Sequence, residues 1–306
     1  MKKDFISLMD YSGQEILDLI ALAKELKADN KAGRKHHILD GKTLGMIFTK
    51  SSTRTRVSFE VGMYQLGGQA LFLSSNDIQL GRGESIYDTA NVLSRFLDGI
   101  MIRTYKHSDV TELAKNAAIP VINGLTDLLH PCQVLADLLT ISEYKGELKG
   151  KKLCYVGDGN NMAHSLLYGC TKVGMDISVA TPDKYKCDET VMSNALKIAA
   201  ETGSKVEFTN NPKQAMENAD AVYTDTWVSM GMEAEKQQRI KDFAGFEVNR
   251  ELMDIAKPDA MFLHCLPAYR GYEVSADVID GKQSAIFDEA ENRLHAQKAV
   301  MATLMK

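Results

Sequence analysis

Two periodicities alternate along this 306-residue chain, and that alternation restricts its fold more than any other feature. Short apolar, β-rich runs at 43–48, 70–73, 99–103 and 120–122 are each followed by a longer amphipathic stretch, starting near 53, 84, 108 and 131. Parallel strands need a crossover connection, usually a helix, so the pattern predicts βαβ units and a parallel sheet. A helix precedes them: Ser12-Gly13-Gln14-Glu15 has the form of a capping box, and Ile16, Leu19, Ile20, Ala23 and Leu26 follow at helical spacing. The polar stretch 145–152 interrupts the pattern, which restarts at Leu153, with further strands predicted at 177–180, 206–209, 221–223, 261–264 and 285–287. The expected fold is α/β, with two domains each built on a central parallel sheet flanked by helices. Residues 1–145 form the first and 146–288 the second, and a closing helix within 289–306 packs back on the first.

A formal net charge of −5 and a pI near 5.9 give no global basic field, which argues against nucleic acid as a partner. An anionic substrate would need a local positive site. The five cysteines, Cys132, Cys154, Cys170, Cys187 and Cys265, form no C-x-x-C pair, which argues against a disulfide framework and a zinc site and suits a reducing compartment. No apolar run approaches the roughly 20 residues of a membrane span, and the first ten residues lack a signal-peptide core. These observations predict a cytoplasmic protein with no membrane association and no metal.

The unusual local sequences lie just beyond predicted strands, at 51–55, Arg103, 157–161, 225–231 and 264–267. In open α/β sheets the loops past the carboxyl ends of strands form the ligand crevice, so these segments are expected to meet in one cleft between the domains. Ser51-Ser52-Thr53-Arg54-Thr55-Arg56 opens a helix with two arginines, where the helix dipole makes cations mildly unfavourable. Hydroxyls, unpaired first-turn N–H groups and a guanidinium fork together suit phosphate; the plain alternative is a cap followed by surface arginines. Arg54, nearer the cap, is the expected ligand residue, and Arg56 an ion-pair partner within the protein. In His130-Pro131-Cys132-Gln133, proline stands at a first helical position, with His130 and Gln133 as polar groups able to donate to a neutral carbonyl or amide. Gly157-Asp158-Gly159-Asn160-Asn161 follows a strand but has Met162 where a dinucleotide fingerprint needs glycine. Asp225, beside the single tryptophan Trp227, is either a turn residue or a carboxylate that recognises an ammonium group.

Together these segments resemble the aspartate/ornithine carbamoyltransferase family. The resemblance runs through essentially the whole chain: Ser52-Thr53-Arg54-Thr55-Arg56, Asp88-Thr89-Ala90, Arg103, His130-Pro131-Cys132-Gln133, Asp225 with Ser229-Met230-Gly231, His264-Cys265-Leu266-Pro267, and Glu291-Asn292-Arg293. The S-M-G and H-C-L-P segments look like the ornithine branch; a carbamoyltransferase for putrescine or a modified ornithine is the alternative. The resemblance implies that Ser52, Thr53, Arg54, Thr55, Gln79, Arg103, His130, Gln133, Cys265, Leu266 and Arg293 bind carbamoyl phosphate. Arg54, Arg103, His130, Cys265 and Arg293 would be catalytic, and Asn161, Asp225, Ser229 and Met230 would bind L-ornithine. It further implies no cofactor, and a homotrimer in which the Gln79 loop reaches a neighbouring subunit's site. Two departures from the family pattern stand out: the loop 157–161 is short, and His164 occupies a position that is commonly Asn.

Overall fold

The computed structural model of the chain describes residues 2–228 and 232–306. It contains two compact units, Met1–Leu139 with Glu291–Lys306, and Thr140–Ala290. In the first half the order is α1 (Gly13–Lys31), β1 (Thr43–Phe48), α2 (Thr53–Gln65), β2 (Gln69–Ser74), α3 (Ile86–Leu93), β3 (Gly99–Arg103), α4 (His107–Asn116), β4 (Val121–Leu125) and α5 (Pro131–Lys145). Then come β5 (Lys152–Val156), α6 (Asn161–Lys172), β6 (Asp176–Ala180), α7 (Glu189–Thr202), β7 (Val206–Thr209), α8 (Pro212–Met216), β8 (Ala221–Tyr223), α9 (Lys236–Asp242), α10 (Arg250–Met253), β9 (Met261–Leu263), α11 (Ala276–Ile279) and α12 (Ile286–Met305). The division between these compact units falls inside α5 and α12, at Leu139/Thr140 and Ala290/Glu291.

Both sheets are wholly parallel, in the orders β2-β1-β3-β4 and β7-β6-β5-β8-β9. Apart from the edge strands β2 and β7, the strands are mostly buried, as expected of parallel strands covered on both faces: Ile47, Ile100, Ile102 and Val121 lie in the core of the first unit, and Cys154, Val156, Val222 and Phe262 in that of the second. The strand order reverses between β1 and β3 in the first unit and between β5 and β8 in the second. Those switch points are where the loops leaving adjacent strands diverge and open a crevice. The strand predicted at 285–287 is absent: only Ser284 bridges to Phe262, and α12 starts at Ile286. Asp288 and Glu289 occupy its first turn, where acidic side chains suit the helix dipole and outweigh the β-like composition of Ala-Ile-Phe.

The helix-to-strand turn after α2 depends on two glycines. Gly67 sits at φ 85°, a left-handed conformation that favours glycine. A Cβ on Gly68 would lie 2.8 Å from the Lys42 carbonyl and 3.1 Å from that of Leu39, and backbone atoms cannot yield as a side chain would. Gly68→Ala is therefore expected to cost about 1–3 kcal/mol through overpacking. A urea titration checks this, and an unchanged midpoint would contradict it.

Candidate active site

In the first unit, the switch point brings three segments to one hydroxyl. Phe48, the last residue of β1, pairs with Arg103, the last of β3, so the α2 start and the Arg103 side chain emerge side by side. Ser52 caps α2, its Oγ accepting from Thr55 N at 3.2 Å. Thr55 is fully buried, and its Oγ1 accepts from Arg293 Nη2 at 2.8 Å and from Arg103 Nη1 at 3.4 Å. Arg54 is half-buried on the adjoining position, and Thr53 is exposed. Arg56 points elsewhere: it forms the expected ion pair, with Glu60 at 2.9 Å, and its guanidinium lies 3.8 Å from the centre of the Phe72 ring.

His130 is buried at the start of α5. Burial holds it well below the usual histidine range, and the positive charges of Arg293, Arg103, Lys50 and Arg54 push the same way. At neutral pH it is a neutral imidazole amid four cations, able to donate a hydrogen bond without adding charge. Gln133, one turn on, is buried and donates from Nε2 to Asp137 Oδ1 at 2.8 Å. Gln79 stands exposed at the start of a short 3-10 helix, Gln79–Arg82.

In the second unit, β5 and β8 part at their carboxyl ends, and the loops that follow are joined by Asn160 Nδ2 donating to Asp225 Oδ2 at 2.8 Å. Asn160 also caps α6, accepting from Met162 N and Ala163 N, while Asn161 begins the helix, half-buried. The other oxygen of Asp225, Oδ1, accepts from Thr226 N at 2.8 Å and from the Cys265 thiol at 3.2 Å. Leu266 takes a left-handed conformation at φ 57°, and its N–H donates to His264 Nδ1 at 2.9 Å. His264 Nε2 therefore carries the proton and faces Glu273 Oε1 at 3.3 Å. Ser229 and Met230 lie outside the described residues.

The second glycine of the 157–161 loop serves packing. A Cβ on Gly159 would meet Cys187 N at 2.4 Å and Tyr185 O at 2.6 Å, so segment 185–187 lies where a nucleotide loop would leave room for phosphate. His164 Nε2 accepts from Asp188 N at 2.9 Å and ties the same segment down. Asp158 is buried; burial pushes its carboxyl up to about 6, opposed by Arg239. Asp225, His264 and Cys265 have potential metal-ligand atoms within 4.8 Å of one another, and both His264 ring nitrogens already face protein partners, Nδ1 the Leu266 N–H and Nε2 Glu273 Oε1.

Lys50 and Arg239 carry no sequence signal that marks them as site residues. They act through partners distant along the chain, as Arg239 does with Asp158, 81 positions away. The depressed basicity of His130 has a spectroscopic consequence. Its ring nitrogens should keep neutral-imidazole chemical shifts from about pH 8 down to about pH 6, where an ordinary histidine is mostly protonated. A midpoint near the ordinary value would contradict the electrostatic picture.

Residues 3–143 match the carbamoyl-P binding domain of aspartate/ornithine carbamoyltransferase, and residues 149–304 match the Asp/Orn binding domain. The ornithine carbamoyltransferase of Oceanobacillus iheyensis is 60% identical over 303 residues, covering 99% of this chain and 94% of that protein. That of Pyrococcus abyssi is 57% identical over 303 residues, covering 99% and 96%. Among solved structures, ornithine carbamoyltransferase from Pyrococcus furiosus aligns with a TM-score of 0.97 at 56% identity, covering 99% of this chain and 97% of that one. With both halves matched and close relatives along its whole length, the chain belongs to the aspartate/ornithine carbamoyltransferase family.

Proposed function

We propose that the chain transfers the carbamoyl group of carbamoyl phosphate to the δ-amine of L-ornithine, giving L-citrulline and phosphate in arginine metabolism. The observation that carries this reading is the meeting of the Arg103 and Arg293 guanidiniums at Thr55 Oγ1, beside a histidine held neutral. The names of relatives about 60% identical along the whole chain favour ornithine over other amines.

The reaction makes two physical demands. An alkyl ammonium has a pKa near 10.4, so presenting it as a neutral amine at pH 7 costs about 4.6 kcal/mol unless the site assists. Attack also places negative charge on the carbamoyl oxygen. Ser52, Thr53, Arg54, Thr55 and Arg103 hold the phosphate, using the hydroxyls, first-turn N–H groups and guanidiniums of α2 and β3. Arg54, Thr55, Arg103, His130 and Arg293 stabilise the oxyanion. Gln133, the Leu266 carbonyl and Cys265 receive the carbamoyl amino group. Asn161, Asp225, Ser229 and Met230 hold the amino-acid end of ornithine and aim its δ-amine. The departing phosphate accepts the proton. Rate enhancement then comes from positioning and preorganised charge.

We further infer a homotrimer in the cytoplasm, with Gln79 contributing to a neighbouring subunit's site. Exposed apolar side chains on α2 and the edge strand β2, among them Val57, Tyr64, Leu71 and Phe72, support an oligomer. Among the described residues, no helix is long and apolar enough to cross a membrane.

Incubation with carbamoyl phosphate and ornithine should yield citrulline, and Arg54→Ala should lower kcat by about 10²–10³, the loss typical of one oxyanion donor. Absence of citrulline, or an Arg54→Ala enzyme that turns over normally, would contradict the assignment.

A further inference from the structure

The reaction above gives Asp158 no task, yet the chain buries this carboxylate at 7% exposure in the loop between β5 and α6. A buried charge must be paired, and its partner is Arg239 on α9, itself 6% exposed. Arg239 Nη1 lies 2.8 Å from Asp158 Oδ2, and the same nitrogen donates to the Trp227 carbonyl at 2.9 Å. Its Nε donates to Glu235 at 2.9 Å, and its guanidinium lies 4.7 Å from the centre of the Tyr185 ring. One side chain thus joins the loop after β5, the loop after β8 and the segment at 185.

From this pair, two routes lead to Asp225. Trp227, whose carbonyl Arg239 holds, is two residues beyond it. The other route runs through Asp158, whose main-chain carbonyl accepts from Tyr155 OH at 2.8 Å. Tyr155 OH also lies 3.3 Å from Asn160 Oδ1, and Asn160 Nδ2 donates to Asp225 Oδ2 at 2.8 Å. Burying an ion pair adds little net stability, because desolvation offsets the attraction. What a guanidinium fork fixes is direction, since its donors are planar and rigid.

We propose that Asp158 and Arg239 are positioning residues for the amino-acid half of the site, clamping the 225–228 loop against the 157–161 loop so that Asp225 and Asn161 keep the spacing that grips the substrate's amino-acid end. The inference rests on the ornithine reading above. Neither residue touches substrate. Loss of the clamp lets Asp225 drift, and a displacement of about 1 Å in a site can cost up to 10²-fold. Carbamoyl phosphate, held chiefly by residues of the first unit, should be nearly indifferent.

Steady-state kinetics on Asp158→Asn, Arg239→Gln, Arg239→Lys and the double variant Asp158→Asn/Arg239→Gln test this. The ornithine KM of Asp158→Asn is expected to rise about 10- to 100-fold while that for carbamoyl phosphate stays within about twofold. Arg239→Lys, which keeps the charge but loses the fork, should fall between this and the parent enzyme. The double variant should be no worse than the worse single change, because the two act as a unit. A purely structural pair would instead lower the melting temperature and the active fraction, leaving KM unmoved. An unchanged ornithine KM in whichever variant folds, a parallel rise in both KM values, or multiplicative effects in the double variant would overturn the clamp. Failure of the parent enzyme to make citrulline would instead overturn the functional reading.

Discussion

Two guanidinium groups, from Arg103 and Arg293, reach the buried hydroxyl of Thr55 in the first turn of α2, at the positive end of the helix dipole. Gathering cations at a helix N-terminus opposes the dipole, so this arrangement is unfavourable in isolation and becomes favourable once an anion is bound. It also dictates connectivity. Arg293 lies 238 positions from Thr55, so the C-terminal helix must return to the first unit to deliver it. Burial, reinforced by the same concentration of charge, keeps His130 neutral and therefore available as a donor.

The second unit follows a related plan with different chemistry. There too the strand order reverses at a switch point, but the loops leaving β5, β8 and β9 bring together an amide, a carboxylate and a thiol: Asn160, Asp225 and Cys265. One unit presents positive charge suited to phosphate, the other a carboxylate suited to an ammonium group. A parallel α/β sheet offers such loops at the carboxyl ends of its strands, and the side chains placed there set the chemistry.

Much of this was legible in the sequence because it rests on local rules. Apolar runs at 43–48, 99–103 and 221–223 became strands with those bounds, since a buried parallel strand needs a continuous apolar run. Pro131 marked a helix start for an equally local reason, its missing N–H costing nothing there. The 285–287 segment misled because composition there favours a strand, whereas the Glu289 carboxylate, accepting from Tyr223 OH and His264 N, anchors the first turn of a helix. The use of Gly159 was equally hidden, because what approaches it closely is chain near residue 186. The grouping of Arg54, Arg103 and His130 was expected from motif order, and the structure brings their charges together, whereas Asp158 and Arg239 depend on a contact that no local pattern announces.

Under the proposed function, the start of α2 holds a phosphate attached to a reacting carbonyl. A crystal structure with carbamoyl phosphate bound tests it most directly. The account predicts phosphate oxygens within hydrogen-bond reach of Ser52 Oγ, the N–H groups of Thr53, Arg54 and Thr55, and the Arg54 and Arg103 guanidiniums, with the carbonyl oxygen turned toward Thr55, His130 and Arg293. A phosphate bound away from the first turn of α2, or a carbonyl oxygen facing away from His130, would contradict it.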